Sequence, residues 1–307
     1  MSITIFGNIF INDKLKLEML KISFSSFNNS KIEKWVLNIR GKFKSETKDF
    51  LMKNIKQKKI FFELESDKGW FYESRLMSKE INSEYVFNWI EDHVNLQNSE
   101  FFNSIINELK EIDGEYLMYS AFFFGEQLES YKKLKTFETN NLVYLNYDLN
   151  THYQRINEID YSKPINDKAN RVRNKYAASK YIISMPSILK TNLFKKILKN
   201  KDLIFKRWPI NTPFDFEKRP DDISWLPLKV ACVKEEFFAT IDDNHGFRGY
   251  SLIERKHPII KKILLEKKTL SPNFSKKNDK NNILINIKKY FKEKINYIFH
   301  NIKYRLK

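Results

Sequence analysis

Glu91, Asp92 and His93 stand side by side directly behind an apolar run, and all three side chains can bind a metal ion. The run is Tyr85-Val86-Phe87-Asn88-Trp89-Ile90. Its bulky, β-rich make-up is that of a strand buried on both faces. Strands usually end in turn residues, but this one ends in two carboxylates and an imidazole. Ligands in open α/β sheets gather outside the carboxyl ends of the strands. Carboxylates there suit a hard divalent ion, Mg or Mn, that carries a phosphorylated substrate. The competing reading is an acidic, solvated turn at the end of a strand.

The elements that must position this triplet alternate along the chain. Leu20–Phe27 reads as a first strand, followed by the polar Asn28-Asn29-Ser30. Ile32–Arg40 reads as a second, stopped by Gly41. Ser45–Ile55 has helical spacing, with Ser45 as N-cap and Phe50, Leu51 and Ile55 on one face. Lys59–Glu65 is a third strand, Trp70–Ile81 an amphipathic helix and Tyr85–Ile90 the fourth strand. Phe101–Ile112 is a helix, Tyr116–Phe124 a strand, and Ile188–Leu198 a further helix. Such alternation predicts an α/β fold, a mainly parallel sheet with helices on both faces. Residues 1–17 read as an N-terminal extension and 18–268 as the body. Residues 269–307 read as a basic linker and an amphipathic helix.

The 307 residues carry enough apolar and aromatic side chains for a packed core, at 42% and 15%. The lone Cys232 rules out an internal disulfide and a cysteine-based zinc site. No apolar run approaches the roughly 18 residues of a membrane span. Met1–Phe6 lacks the basic and long apolar regions of a signal peptide, so a cytoplasmic location is expected. The net charge is +17. From Arg255 onward 16 Lys and Arg face Glu266, Asp279 and Glu293, a net of +13, which leaves +4 for residues 1–254. The field therefore belongs to the tail.

The order of elements resembles nucleotide-sugar-dependent glycosyltransferases of the GT-A fold, most of all the family 2 type. In that family a helix with a basic residue precedes a strand ending in an acidic metal motif, usually Asp-x-Asp. Arg75 lies in the matching helix, Glu84-Tyr85-Val86 resembles the run into that strand, and Glu91-Asp92-His93 takes the place of the motif. The resemblance covers roughly residues 18–255, with the nucleotide-sugar half at about 18–125 and the acceptor half at about 126–268. It departs from the pattern in having adjacent Glu and Asp followed by His.

The resemblance implies roles for named residues. Asp92 is the first metal ligand and Glu91 the next, with His93 a ligand, a phosphate donor or simply a loop residue. Arg75 and Lys79, four apart on one helical face, would counter the charge of a diphosphate, or form a solvated basic stripe. Ser25, Ser26 and Asn28 would bind base or ribose at the end of the first strand, or cap a turn. Glu65 and Asp67 are further nucleoside candidates. In Thr212–Lys218 an inverting transfer would find its general base, Glu217 first and Asp215 second. A pair of helix-N-terminal acids is the plainer reading there. His245, in Asp242–Gly249, would close on metal or phosphate, or lie in a surface turn.

Residues 283–307 have helical periodicity, with Ile283, Ile287, Phe291, Ile295, Ile298, Ile302 and Leu306 on or near one face. Lys288, Lys289, Lys292, Lys294, Lys303 and Arg305 fill the rest. That composition fits an interfacial helix on an anionic membrane and a lipid-linked or glycan acceptor. Two other classes use the same features. A metal-dependent nuclease or nucleic-acid binder would exploit the basic field, though no nucleic-acid motif is present. A non-catalytic membrane scaffold would not need acids at a strand end.

Overall fold

The computed structural model describes residues 3–27, 32–118, 134–158, 181–184, 186–199, 212–213, 223–242 and 251–270. The chain forms two compact units, 1–260 and 261–307. Of the second, the described part is a helix, α7, at Lys261–Leu270.

The first unit is α/β and Rossmann-like, with the expected mainly parallel sheet and helices on both faces. Among the described residues the main sheet has nine strands in the order β3-β2-β1-β4-β9-β6-β10-β8-β7. These are β1 (Ile3–Phe10), β2 (Ile32–Arg40), β3 (Lys58–Phe62), β4 (Tyr85–Asn88), β6 (Tyr116–Leu117), β7 (Phe137–Glu138), β8 (Leu142–Tyr147), β9 (Ser187–Lys190) and β10 (Leu228–Val233). The pairings leave only β8 and β9 pointing against the rest. A second, two-stranded sheet pairs β5 (His93–Asn95) with β11 (Phe238–Thr240) in antiparallel fashion.

Strand alternation divides the core into two clusters, one on each face. Helices α1 (Lys14–Ser25), α2 (Lys44–Asn54) and α4 (Ser99–Glu111) cover the face that holds Ile5, Trp35, Leu37 and Phe87. Helices α3 (Gly69–Met77) and α6 (Thr191–Leu198) cover the face that holds Phe6, Val36, Val86 and Leu189. Between them in the chain, α5 spans Leu149–Glu158.

Three expectations are corrected. Residues 1–17 are no extension: Ile3–Phe10 is β1, bonded to both β2 and β4 near the middle of the sheet. All of it is buried except Phe10, and a parallel strand buried on both faces carries no polar alternation to announce it. The expected first strand, Leu20–Phe27, is instead the end of α1. Leu17, Leu20, Phe24 and Phe27 follow the helical 3–4 spacing into the core, and Asp13 caps the helix by accepting from Lys16 N at 2.8 Å. The helix expected at Ile188–Leu198 begins only at Thr191, and Ile188 and Leu189 belong to β9.

The other elements stand close to their expected places. The Trp70–Ile81 helix ends at Met77 and passes into a 3-10 turn at Ser78–Glu80. Of the strand expected at Tyr116–Phe124, Tyr116–Leu117 is described and 119–124 lies outside the described residues. Gly41 does stop β2. Its φ is +94°, and a Cβ there would stand 2.4 Å from the Ile11 carbonyl oxygen. Only glycine lets the ends of β1 and β2 approach so closely. Ile11 N donates to Arg40 O at 2.8 Å, which ties the two ends together.

Candidate functional site

The chain leaves β1 toward β2 on one side, while β4 lies on the other. That reversal makes a switch point, and the crevice outside the carboxyl ends of β1 and β4 is where such sheets bind ligands. Trp89 N still donates to Phe6 O at 2.8 Å, so the pairing runs one residue past β4. The chain then turns through Ile90, Glu91 and Asp92 into β5.

This turn is held from two sides. Ile241 N, just past β11, donates to Asp92 O at 2.7 Å. On the α1 side, Ser23 Oγ donates to His93 O and accepts from Trp89 Nε1 at 2.8 Å. Glu91 and Asp92 thus sit at the mouth of the crevice on a fixed backbone.

The three side chains differ in environment. Glu91 is 13% exposed, with Oε1 3.8 Å from Lys16 Nζ in the first turn of α1. Burial, and then the Asp92 charge beside it, push its carboxyl up to about 7. Asp92 is 31% exposed, and its Oδ1 lies 2.6 Å from His93 Nδ1. Burial pulls its carboxyl upward, but the His93 imidazole outweighs that and holds it below the usual range. An ionised carboxylate only accepts, so His93 donates through Nδ1. The imidazole is 3% exposed and lies inside the protein, in β5.

A metal ion is implied by the resemblance. Among the described residues no group of three or more His, Cys, Asp and Glu is placed to hold one. Mg²⁺ does not need such a cage, because it commonly takes one or two carboxylates together with substrate phosphates and waters. Asp92, ionised and partly open, with Glu91 beside it, fits that mode. His93 is committed to Asp92 and fits the part of a positioning group.

Behind the crevice lies a buried polar network that sequence reasoning did not single out. Arg40, at the end of β2, is 4% exposed, with Nε 3.5 Å from Glu73 Oε2 of α3. Its guanidinium lies over the Phe10 ring, 5.8 Å from the centroid. Burial lowers the Arg40 pKa, against the opposing pull of Glu73, Glu91 and Glu65. Asn8 Nδ2 donates to Ser74 Oγ at 3.1 Å, and to Glu73 Oε2 and Trp70 O, each at 3.3 Å. Asn38 Nδ2 donates to Asn8 Oδ1 at 3.1 Å and to Leu64 O at 3.0 Å. Glu73 Oε1 accepts from Ser66 N at 2.7 Å. The signal was available: Phe6-Gly7-Asn8-Ile9 and Val36-Leu37-Asn38-Ile39 each set one Asn inside an apolar strand.

Several expected donor residues lie elsewhere. Ser25 and Ser26 end a helix, not a strand. Ser25 Oγ donates to Lys21 O at 2.7 Å, and Ser26 Oγ donates to Ser23 O at 2.6 Å and accepts from Asn95 N at 2.8 Å. They finish α1 and pin it to β5, which is the capping alternative. Lys79 is in the 3-10 turn that leads to the amino end of β4, beside Glu80, whose carbonyl accepts from Lys34 Nζ. It is therefore at the end of the sheet away from Glu91. Arg75 Nη1 reaches Leu198 O at 3.5 Å, at the end of α6, and its guanidinium lies over Tyr72. Glu65 is exposed and paired with Lys44 at 2.9 Å. Asn28, Asp215, Glu217 and His245 lie outside the described residues, as does 283–307.

No protein-family model matches the chain, and no curated protein matches it. Solved structures with a similar fold include S. aureus TarS 1–349 in complex with UDP-GlcNAc, at 12% identity and a TM-score of 0.42, covering 87% of this chain and 66% of that one. Others are 4-diphosphocytidyl-2C-methyl-D-erythritol synthase from Anaerococcus prevotii (14%, TM-score 0.37, 68% of this chain and 78% of that one) and HddC from Yersinia pseudotuberculosis (10%, TM-score 0.38, 78% and 94%). The chain spans less than two thirds of the TarS 1–349 structure without ligand, 65%, and 39% of the structure titled simply TarS. These likenesses are of fold.

Proposed function

We propose that this chain is a nucleotide-sugar-dependent glycosyltransferase, which moves a sugar to a glycan or lipid-linked acceptor in cell-surface polysaccharide synthesis. One observation carries the reading. Glu91 and Asp92 are fixed at the carboxyl end of β4, at the switch point, with Lys16 3.8 Å from Glu91. Two carboxylates and a cation at that position suit a diphosphate brought with a divalent ion.

The chemistry asked of the site is stabilisation of a departing nucleoside diphosphate. Bound Mg²⁺ or Mn²⁺ would supply Lewis-acid neutralisation of its phosphate oxygens. Asp92 would hold the ion and Glu91 would assist it. His93 keeps the Asp92 carboxylate ionised and oriented. Lys16 adds a positive charge at the start of α1, where the helix dipole also favours an anion. Deprotonation of the acceptor hydroxyl, with inversion, is assigned to Glu217, with Asp215 as the alternative. Both assignments, and His245 as a group closing on the phosphates, rest on the resemblance.

The tail completes the reading. No helix among the described residues is long and apolar enough to cross a membrane. Residues 283–307 carry seven Lys and Arg against Glu293, and about 1 kcal/mol per basic residue near an anionic surface is enough to hold a protein there. Deleting them should release the protein from anionic vesicles without loss of donor hydrolysis.

Hydrolysis of UDP-, GDP-, dTDP- and CMP-sugars, with and without Mg²⁺ or Mn²⁺, tests the whole. Release of a nucleoside diphosphate from one donor class is the expected result. Inertness toward all of them, combined with metal-dependent cleavage of nucleic acid, would transfer the acids to a nuclease.

A further inference from the structure

The face of the sheet covered by α3 and α6 changes from apolar to polar on four neighbouring strands, with Asn8 and Asn38 at one level and Asn88 and Ser187 one side-chain layer further from the crevice, where Asn88 pairs with Phe6. Val36 gives way to Asn38 on β2, Phe6 to Asn8 on β1, Val86 to Asn88 on β4, and Leu189 to Ser187 on β9. Because side chains alternate along a strand, each polar residue lies on the same face as its apolar partner two positions away. Every change is toward the carboxyl end of β4, the end that carries the crevice. The four polar residues are all nine-tenths or more buried.

The β2–β1 half of this strip is satisfied by the protein. Asn38 and Asn8 bond to each other, to Glu73 and Ser74 of α3, and to the Leu64 and Trp70 carbonyls. In the β4–β9 half Ser187 is not. Asn88 is 3% exposed and Ser187 is 0% exposed, and they face each other across the antiparallel pair. Ser187 Oγ has no hydrogen-bond partner. The helix over this half, α6, buries Leu193, Phe194, Ile197 and Leu198, which cannot bond to an amide or a hydroxyl, and Thr191, whose Oγ1 donates to Ser83 O at 2.7 Å.

Buried polar groups are nearly always paired, and a bound ligand is one explanation of an exception. Asn88 is three residues from Glu91, a separation of at most about 10 Å. A group bonded to Asn88 and Ser187 is therefore near enough to a diphosphate at Glu91 and Asp92 to be part of the same ligand. An amide offers two donors and an acceptor, and a hydroxyl offers one of each. Hydroxyl groups of a sugar ring match that set.

We infer that Asn88 and Ser187 form the subsite for the sugar of the nucleotide-sugar donor and set which hexose is accepted. The inference rests on the glycosyltransferase reading and adds two specificity residues to it.

The test compares wild type with Asn88→Ala and Ser187→Ala. The probes are epimeric donors, UDP-glucose with UDP-galactose or GDP-glucose with GDP-mannose, and free UDP and GDP as competitors. Each substitution should lower kcat/KM for the preferred sugar about ten-fold, the effect of one lost hydrogen bond. It should narrow the preference between epimers and leave inhibition by the free diphosphate within two-fold. Thermal midpoints near wild type should accompany this, and if Asn88→Ala fails to fold, Asn88→Ser and Ser187→Ala give the same readout. Loss of diphosphate affinity in parallel would assign the pair to the nucleotide and overturn the inference. So would unchanged kinetics in an active enzyme. A wild type inert toward every donor would instead defeat the reading of the whole site, and this inference with it.

Discussion

The two halves of the polar strip share a sheet and a face and lie one side-chain layer apart, yet they are built for different ends. Over β1 and β2, α3 brings a carboxylate and a hydroxyl down onto Asn8, Asn38 and Arg40. Over β4 and β9, α6 buries mainly hydrocarbon, and its one buried hydroxyl, Thr191, is bonded to Ser83 O. The first half is closed and acts as foundation. The second is left for a ligand. Burial alone would have treated both as core, and hydrogen-bond satisfaction is what separates them.

The comparison can be broken by substitutions that swap its expected consequences. The largest effect should come from Glu73→Ala in the closed half. It leaves Arg40 buried without its carboxylate, and such losses cost about 3–5 kcal/mol. Urea unfolding should show that loss, whereas Ser187→Ala in the open half should stay within about 0.5 kcal/mol of wild type. Equal losses would mean that both halves are structural.

Asp92→Asn comes next, and its effect should be on turnover with the fold intact. Removing the charge while keeping the shape should lower transfer on the order of 10²–10³-fold, measured as release of nucleoside diphosphate at saturating donor and metal. A fully active variant would mean that the open half has no reaction beside it.

Glu91 provides a smaller, pH-dependent test. Its folded pKa, about 7, lies above the ordinary carboxylate value. The folded state therefore holds the proton more tightly than the unfolded chain does. The stability this contributes is complete below the unfolded pKa and is lost as the pH rises through about 7. Glu91→Gln should flatten stability between about pH 4.5 and 7 and raise it at pH 7.5 by about 1–3 kcal/mol. Thermal midpoints across that range decide it, and an unchanged pH profile would place Glu91 in water.

The smallest effect belongs to Ser26→Ala. Losing its bond from Asn95 N should cost about 1 kcal/mol with no change in donor KM, since Ser26 fastens α1 to β5. A rise in KM alone would return Ser26 to the donor site.

The chain's pattern disclosed some of this and concealed the rest, for identifiable reasons. The β4 run and its acidic end were legible because a strand buried on both faces is continuous in sequence and its sudden polarity is local. Ile3–Phe10 was hidden by the same property, since a strand buried on both faces lacks the apolar–polar alternation of a half-buried one. Leu20–Phe27 misled because Leu20, Ile22 and Phe24 alternate as a strand would. Only Leu17 and the Asp13 cap, further upstream, disclose the helix. Lys79 shares a helical face with Arg75 on paper, but the helix gives way to a 3-10 turn before reaching it. Glu73 and Arg40 could not have been paired from sequence, because what joins them is the way α3 lies across two strands.

The carboxylate-bearing turn has one further consequence, for the order in which the protein can assemble. Asp92 O is bonded by Ile241 N, and His93–Asn95 pairs with Phe238–Thr240, partners some 150 residues apart in the chain. During synthesis the four strands from β1 to β4 emerge early, and the turn emerges with them. It stays without its Ile241 anchor until β11 has left the ribosome. Contacts of such sequence separation form late, so the nascent chain would hold a nearly complete sheet while its acidic turn still lacked one of its two anchors.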